Sequence, residues 1–100
     1  MLFRSNLLPS GVSPKFPLGA IAMTTEAFRR LSFGDISAAL ARHAQCDCGD
    51  VCPEDRAENE RALASGGRLF SVYHDRNGVK FWIITEADRS ATTVLLPDDY

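Results

Sequence analysis

The residues with the clearest capacity for chemistry lie together in the segment HAQCDCGDVC. It holds His43, Cys46, Cys48 and Cys52, four soft side chains within ten residues. An imidazole and three thiolates can complete a tetrahedral zinc site. The spacing Cys-x-Cys-x₃-Cys differs, however, from the paired Cys-x₂-Cys units of zinc knuckles, and the sequence holds no further cysteine. We therefore expect no bound metal, and a zinc-binding module stays open as an alternative.

A cysteine nucleophile is the second chemistry that this segment could support, with His43 or His74 as the base. Only Cys52 directly precedes a predicted helix, whose N-terminus would lower the thiol pKa, but the acidic residues around it would raise that pKa again. His74 falls on an apolar strand face in the register proposed below, where a buried, hydrogen-bonded histidine is expected. We predict a non-enzymatic protein with no catalytic residue and no cofactor.

Acidic side chains form the densest charge feature, with only Arg56 and Arg61 among them. A solvated helix face is the usual meaning of such a run. A like-signed surface could also dock a basic partner or imitate nucleic-acid phosphates. The residues concerned are Asp47, Asp50, Glu54, Asp55, Glu58 and Glu60.

Capping signals predict the helices that must position these residues. Thr24 or Thr25 suits the N-cap of a short helix ending near residue 31, and Asp35 can cap a second helix to about His43. Pro53 fits the first position of a third helix, which Gly66 would end. The sequence of residues 16–23, which precedes these helices, predicts a short strand. Its Pro and Gly residues would confine that strand to the edge of a sheet.

The last third of the chain predicts a three-stranded antiparallel meander over residues 68–96. Asn77-Gly78 between two apolar runs favours a two-residue type I′ hairpin turn. That turn places Tyr73 opposite Trp82 and Asp75 opposite Lys80, both favourable cross-strand pairs. One face then carries Phe70, Val72, His74, Phe81, Ile83, Val94 and Leu96. The other carries Ser71, Tyr73, Lys80, Trp82, Ile84 and Leu95.

This second face is more apolar than a solvated sheet face should be. A chain of this size has little material to cover it once one core is built. We therefore predict a partner-binding surface there, with a second small core or a homodimer contact as alternatives. Its residues are Tyr73, Trp82 and Ile84, rimmed by Lys80, Asp50, Glu54 and Asp55.

Composition limits the remaining choices. One hundred residues predict a single α+β domain over residues 16–100, preceded by a flexible arm over residues 1–15. A net charge of −2 argues against direct nucleic-acid binding, because such proteins normally carry a basic excess. No apolar run is long enough for a membrane span, and an odd cysteine count favours a reduced cytoplasm.

Three segments carry a resemblance to a known family. They are Phe16-Pro17-Leu18-Gly19, the stretch from Gly49-Asp50 through the Glu54–Ala57 helix start, and FWIITEADRSATTVLLPDDY. From Phe16 onward the chain resembles small "plasmid-related" proteins of integrative conjugative elements and plasmids. Some of these are labelled as type I restriction enzyme M subunits, but a methyltransferase needs a far longer cofactor-binding domain.

The resemblance implies a cytoplasmic protein of a mobile genetic element and supplies no activity or catalytic residue. Family members carry tryptophan where this chain has Cys48, which favours an apolar anchor at that position. We expect short helices packed on a three- to four-stranded antiparallel sheet. The expected function is protein binding, in counter-defence or maintenance of the element. A small nucleic-acid-associated regulator is the alternative.

Overall fold

The computed structural model describes residues 2–3 and 13–100, which form an α+β fold. Three helices precede most of the sheet in the chain: α1 (Thr25–Arg30), α2 (Phe33–Ala44) and α3 (Pro53–Ser65). The strands are β1 (Leu2–Phe3), β2 (Ala20–Met23), β3 (Leu69–His74), β4 (Lys80–Thr85) and β5 (Ala91–Leu95). A short 3₁₀ helix, Pro97–Asp99, follows β5.

The helices begin and end close to where local signals predict. Thr24 caps α1 by accepting a hydrogen bond from the Ala27 amide, and Ser32 rather than Asp35 caps α2. Pro53 is the first residue of α3, and Gly66 ends it in the left-handed conformation at φ +88°. Each signal acts within one helical turn, so it operates whatever the rest of the chain does.

The sheet is mixed, which corrects the prediction of a purely antiparallel one. Its strand order is β1-β2-β5-β4-β3, and β2 runs parallel to β5 while the other pairs are antiparallel. β2 therefore lies between two strands instead of at an edge, and it begins at Ala20 rather than Phe16. Gly19 holds φ +66°, and a Cβ there would come within 2.4 Å of the Ser90 carbonyl oxygen. The close approach of these two backbones sets the start of the parallel pairing.

The β3–β4 hairpin differs from the prediction by one residue. Asp75 pairs with Val79 across a three-residue loop, and Gly78 holds φ +80°. The Asp75 carboxylate accepts hydrogen bonds of 2.8 Å from the amides of Asn77 and Val79, which stabilises this longer loop. Tyr73 consequently lies opposite Phe81, and Trp82 lies opposite Val72.

This shift moves every β3 side chain to the opposite face from the predicted one. The β4 and β5 assignments are confirmed: Phe81, Ile83 and Val94 face the helices, while Trp82 and Ile84 face away. Those for β3 are wrong. Ser71 and Tyr73 lie in the helix-facing core, and Phe70, Val72 and His74 lie on the other side.

The core lies between the helices and one face of the sheet. Phe81, Ile83 and Val94 at its centre are at most 1% exposed, and α2 contributes Ile36 and Leu40. α2 buries one face, because Ile36, Ala39, Leu40 and His43, spaced three or four residues apart, are all buried. α3 is a mostly charged surface helix, and its two buried residues are Asn59 and Ala62.

The outer edge of β3 is closed by side-chain and loop contacts. The Asn59 carboxamide accepts from the Phe70 amide at 2.9 Å and donates to the Phe70 carbonyl at 2.5 Å. Two residues on, the Val72 amide donates to the Cys48 carbonyl and the Val72 carbonyl accepts from the Asp50 amide. The backbone groups that Phe70 and Val72 turn outward are thus all paired.

The predicted arm over residues 1–15 falls mainly outside the described residues, apart from the β1 backbone, which pairs with β2, and Ser13–Lys15. No helix in the described part of the chain is long and apolar enough to cross a membrane.

Candidate functional site

His43 lies in a buried chain of hydrogen bonds, with both ring nitrogens bonded to hydroxyl groups. Its Nδ1 is 2.6 Å from Ser71 Oγ, and its Nε2 is 2.8 Å from Thr85 Oγ1. Thr85 Oγ1 is 2.7 Å from Thr92 Oγ1, which donates to the Leu18 carbonyl at 2.7 Å. The four side chains are at most 2% exposed, so this polar chain crosses the core from α2 through three strands.

The final acceptor fixes the direction of three of the four bonds in this chain, from Leu18 back to His43. A carbonyl oxygen can only accept, so Thr92 donates to Leu18 and must accept from Thr85. Thr85 has then used its proton and must accept from Nε2–H of His43. Nε2 of His43 therefore carries a proton. In a neutral ring Nδ1 is then unprotonated and accepts from Ser71.

Burial lowers the pKa of His43 from 6.5 to about 3, with a smaller contribution from the charge of Arg89. Removing an imidazolium from water is costly, and no carboxylate faces the ring to offset that cost. The ring also packs edge-on against Phe16, with the centroids 5.4 Å apart. His43 serves as a neutral, oriented part of the core.

This arrangement bears on the zinc alternative. Both ring nitrogens of His43 are hydrogen-bonded to hydroxyls, so neither is free to bind a metal without breaking the chain. Among the described residues, no group of three or more His, Cys, Asp or Glu side chains is placed to hold a metal ion. The four residues of the sequence cluster are close in the chain but do not converge as ligands.

The three thiols occupy different environments. Cys48 is 4% exposed and accepts a hydrogen bond from the Asn59 side-chain amide at 2.8 Å, so it anchors its loop. Burial raises the pKa of Cys46, assisted by its neighbour Cys48. At exposed Cys52 the Asp55 amide lowers the pKa, but desolvation and the Asp55 and Glu54 carboxylates outweigh it and the pKa is raised. Raised thiol pKa values disfavour a cysteine nucleophile.

The predicted partner-binding residues do not form one surface. Tyr73 is 2% exposed on the helix side, where it donates to the Asp47 carbonyl and lies under the Arg42 guanidinium. Trp82, Ile84 and Lys80 share the opposite face. Glu54 and Asp55 lie in the exposed first turn of α3.

Asp50 and His74 mark one end of the face that bears Trp82. The Asp50 carboxylate is 2.8 Å from His74 Nδ1, which corrects the prediction of a buried His74. His74 ends β3, whereas Arg68 precedes its start. Asp50, predicted to rim Trp82, therefore lies at the opposite end of β3 from Arg68.

An aromatic cleft occupies the other end of this face. It has a volume of about 290 Å³ and is lined by Arg68, Phe70, Trp82, Ile84 and Tyr100. Phe70 and Tyr100 both meet the Trp82 ring edge-on, with centroids 5.2 Å and 5.7 Å away. Ile84 is 4% exposed at the cleft's inner side, whereas Tyr100 is 70% exposed at its mouth. We call this set of five residues the aromatic cleft.

Arg68 supplies the charge of the aromatic cleft. Its guanidinium carbon lies 5.4 Å from the centre of the Tyr100 ring. Its Nε is 3.9 Å from the Glu86 carboxylate, and both side chains are nearly half exposed. That separation is longer than a hydrogen bond, so the guanidinium N–H groups remain able to donate to a closer carboxylate.

Two of the five cleft residues, Trp82 and Ile84, belong to the predicted partner surface. The one-residue register error assigns Phe70 to the main core, and Arg68 and Tyr100 are not among the predicted site residues. With the correct register, Phe70 falls on the Trp82 face, and a signal for the cleft was therefore present in the strand pattern. Comparisons with protein families, with curated proteins and with solved structures give no match to this chain.

Proposed function

We propose that this chain is a small non-enzymatic accessory protein of a mobile genetic element that binds another protein through the aromatic cleft. The cleft itself carries the proposal, because an apolar concavity lined by Trp and Tyr resembles the hot spots of protein interfaces. The mobile-element context comes from the sequence resemblance. Counter-defence or element maintenance is the role in which such a binder would act.

The lining favours a protein over a nucleic acid. Four of the five lining residues are apolar or aromatic, and Arg68 is the one cationic side chain among them. A nucleic-acid surface would present a basic stripe along the phosphate path, whereas this chain has a net charge of −2.

Burial of the Ser71–His43 pair supports a non-enzymatic role. A serine hydroxyl donating to an imidazole is the arrangement of a nucleophile and its base. Here the two side chains are 1% and 2% exposed, so a substrate cannot reach them in this fold. Their hydrogen bonds instead continue to two threonines and a backbone carbonyl.

The test is a comparison of variants in affinity capture from the native host, followed by titration of the purified partner. Trp82→Ala removes the central ring of the cleft, and Phe33→Ala removes a 60% exposed aromatic residue of α2 as the matched control. We expect the partner to bind wild type and Phe33→Ala equally, and Trp82→Ala at least tenfold more weakly.

Thermal unfolding of each variant separates loss of binding from loss of fold. Arg68→Glu provides a second cleft variant at an exposed position, where a large loss of stability is not expected. Equal affinity of the partner for wild type and both cleft variants would overturn the proposal. Capture abolished by nuclease would favour the nucleic-acid alternative, and a Trp82-dependent dimer would identify a second copy as the partner.

A further inference from the structure

The aromatic cleft is too small and too open to enclose a whole small-molecule ligand. Its volume of about 290 Å³ is at the lower end for ligand pockets, which bury most of their ligand. Tyr100 at its mouth is 70% exposed. A single large apolar side chain, inserted from a partner that remains outside, fits these dimensions.

The partner cannot pair its backbone with Phe70 and Val72 of the neighbouring strand β3. Partners that bind beside a sheet commonly add a strand to its edge. At β3, the outward backbone groups of Phe70 and Val72 are already bonded to Asn59, Cys48 and Asp50. Recognition at the cleft must therefore rely on side chains.

Arg68 sets the charge that this partner should carry. Its guanidinium is at the border of the cleft, and its carboxylate neighbour among the described residues is Glu86, at a loose 3.9 Å. An incoming carboxylate could form shorter, charge-assisted hydrogen bonds with the same donors.

We infer that the partner protein inserts a large apolar side chain between Trp82 and Ile84 and places a carboxylate beside it on Arg68. This inference rests on the proposed protein-binding function and names the chemistry of the contact. It predicts that charge, as well as size, decides which segment of the partner enters the cleft.

The experiment uses N-acetylphenylalanine and its neutral amide as probes that differ only in the carboxylate. Trp82 is the single tryptophan of the chain, so its fluorescence reports binding at the cleft directly. We expect the acid to bind in the millimolar range and at least threefold more tightly than the amide. Arg68→Gln should abolish that difference, while Arg30→Gln, at an exposed position on α1, should leave it unchanged.

The indole N–H signal of Trp82 in NMR spectra confirms where the probe binds. Equal binding of acid and amide to wild type, or a preference for the acid that survives in Arg68→Gln, would overturn the inference. So would the absence of any response to either probe. Those results would leave the proposed function intact if a partner were still lost in the Trp82→Ala capture, so the two proposals fail separately.

Discussion

Burial of His43 as a neutral ring should make this fold lose stability as the pH falls below about 6.5. The folded protein holds the ring neutral, with its pKa lowered from 6.5 to about 3. Between these two pH values the unfolded chain binds a proton that the folded chain does not. The free energy of unfolding therefore falls as the pH is lowered through this window.

The magnitude follows from the width of the window. Each pH unit below 6.5 costs about 1.4 kcal/mol until the folded pKa is reached. At pH 5 the loss relative to pH 7 is about 2 kcal/mol, which lowers the melting temperature of a 100-residue domain by about 10 °C. Four carboxyl groups also have lowered pKa values, and they affect stability only near and below their ordinary values of 3.8 for Asp and 4.5 for Glu. They are Asp35, Asp47, Glu54 and Asp88.

Urea unfolding at pH 7, 6 and 5 measures this loss. His43→Gln can still donate to Thr85 but cannot take up a proton. This variant should be less stable than wild type at pH 7, because Ser71 loses its acceptor. Between pH 7 and 5 its free energy of unfolding should fall by about 2 kcal/mol less than that of wild type. His74→Gln removes the exposed histidine and serves as the control, which should retain the decline due to His43.

Two results would refute the reasoning. One is a wild-type stability that does not change between pH 7 and 5, and the other is a full decline that persists in His43→Gln. Nitrogen chemical shifts of the His43 ring provide an independent check. They should report a proton on Nε2 alone down to about pH 4, where the folded ring is still mostly neutral.

Three further substitutions test the contacts that hold the fold, each by urea unfolding. Asn59→Leu should cost about 2–4 kcal/mol, since it leaves the amide and carbonyl of Phe70 unpaired; a loss within ~0.5 kcal/mol would contradict this role. Gly49→Ala should cost ~3 kcal/mol or more, because its Cβ would meet the Val72 carbonyl oxygen at 2.1 Å. Gly66→Ala, also at positive φ but with nothing within 4 Å, should cost about 1 kcal/mol, and equal costs would argue against the clash. Arg89→Lys should cost about 2 kcal/mol, since one ammonium cannot reproduce the guanidinium bonds to the carbonyls of residues 62, 67 and 86; unchanged stability would show those bonds to be dispensable.

Helix boundaries could be predicted from sequence because their determinants are local. Pro53 and Gly66 delimit α3 through their own backbone preferences, and Thr24 caps α1 through a bond to a residue three positions away. The sequence also correctly indicated an α+β fold with a C-terminal meander.

The predicted hairpin register was wrong because the same Asn-Gly pair can belong to a two-residue or a three-residue loop. The two-residue turn needs positive φ at both central residues, whereas the three-residue loop needs it only at Gly78. The Asp75 carboxylate, bonded to two loop amides, stabilises the longer form. The one-residue difference in loop length places each β3 side chain on the face opposite the predicted one. Tyr73 therefore lies in the core and Phe70 lies on the Trp82 face.

Two other features depend on contacts between distant parts of the chain. The parallel pairing of β2 with β5 joins residues about seventy positions apart, for which the local pattern contains no signal. The His43 chain needs Ser71, Thr85 and Thr92, which are common strand residues and give no sign of being buried together. Their role becomes visible only when the correct register places all three on the helix-facing side.

The closed edge of β3 also limits how copies of this protein can assemble. A sheet with two open edges can add chains at both ends and grow into a fibre. Here Asn59 and the Cys48–Asp50 loop cover the β3 edge of the sheet. Strand addition at the opposite edge, formed by β1, would therefore join two copies and then stop. Such a contact would be a closed two-fold dimer. Replacing Asn59 would unpair the outward amide and carbonyl of Phe70 and so open that part of the edge to strand addition.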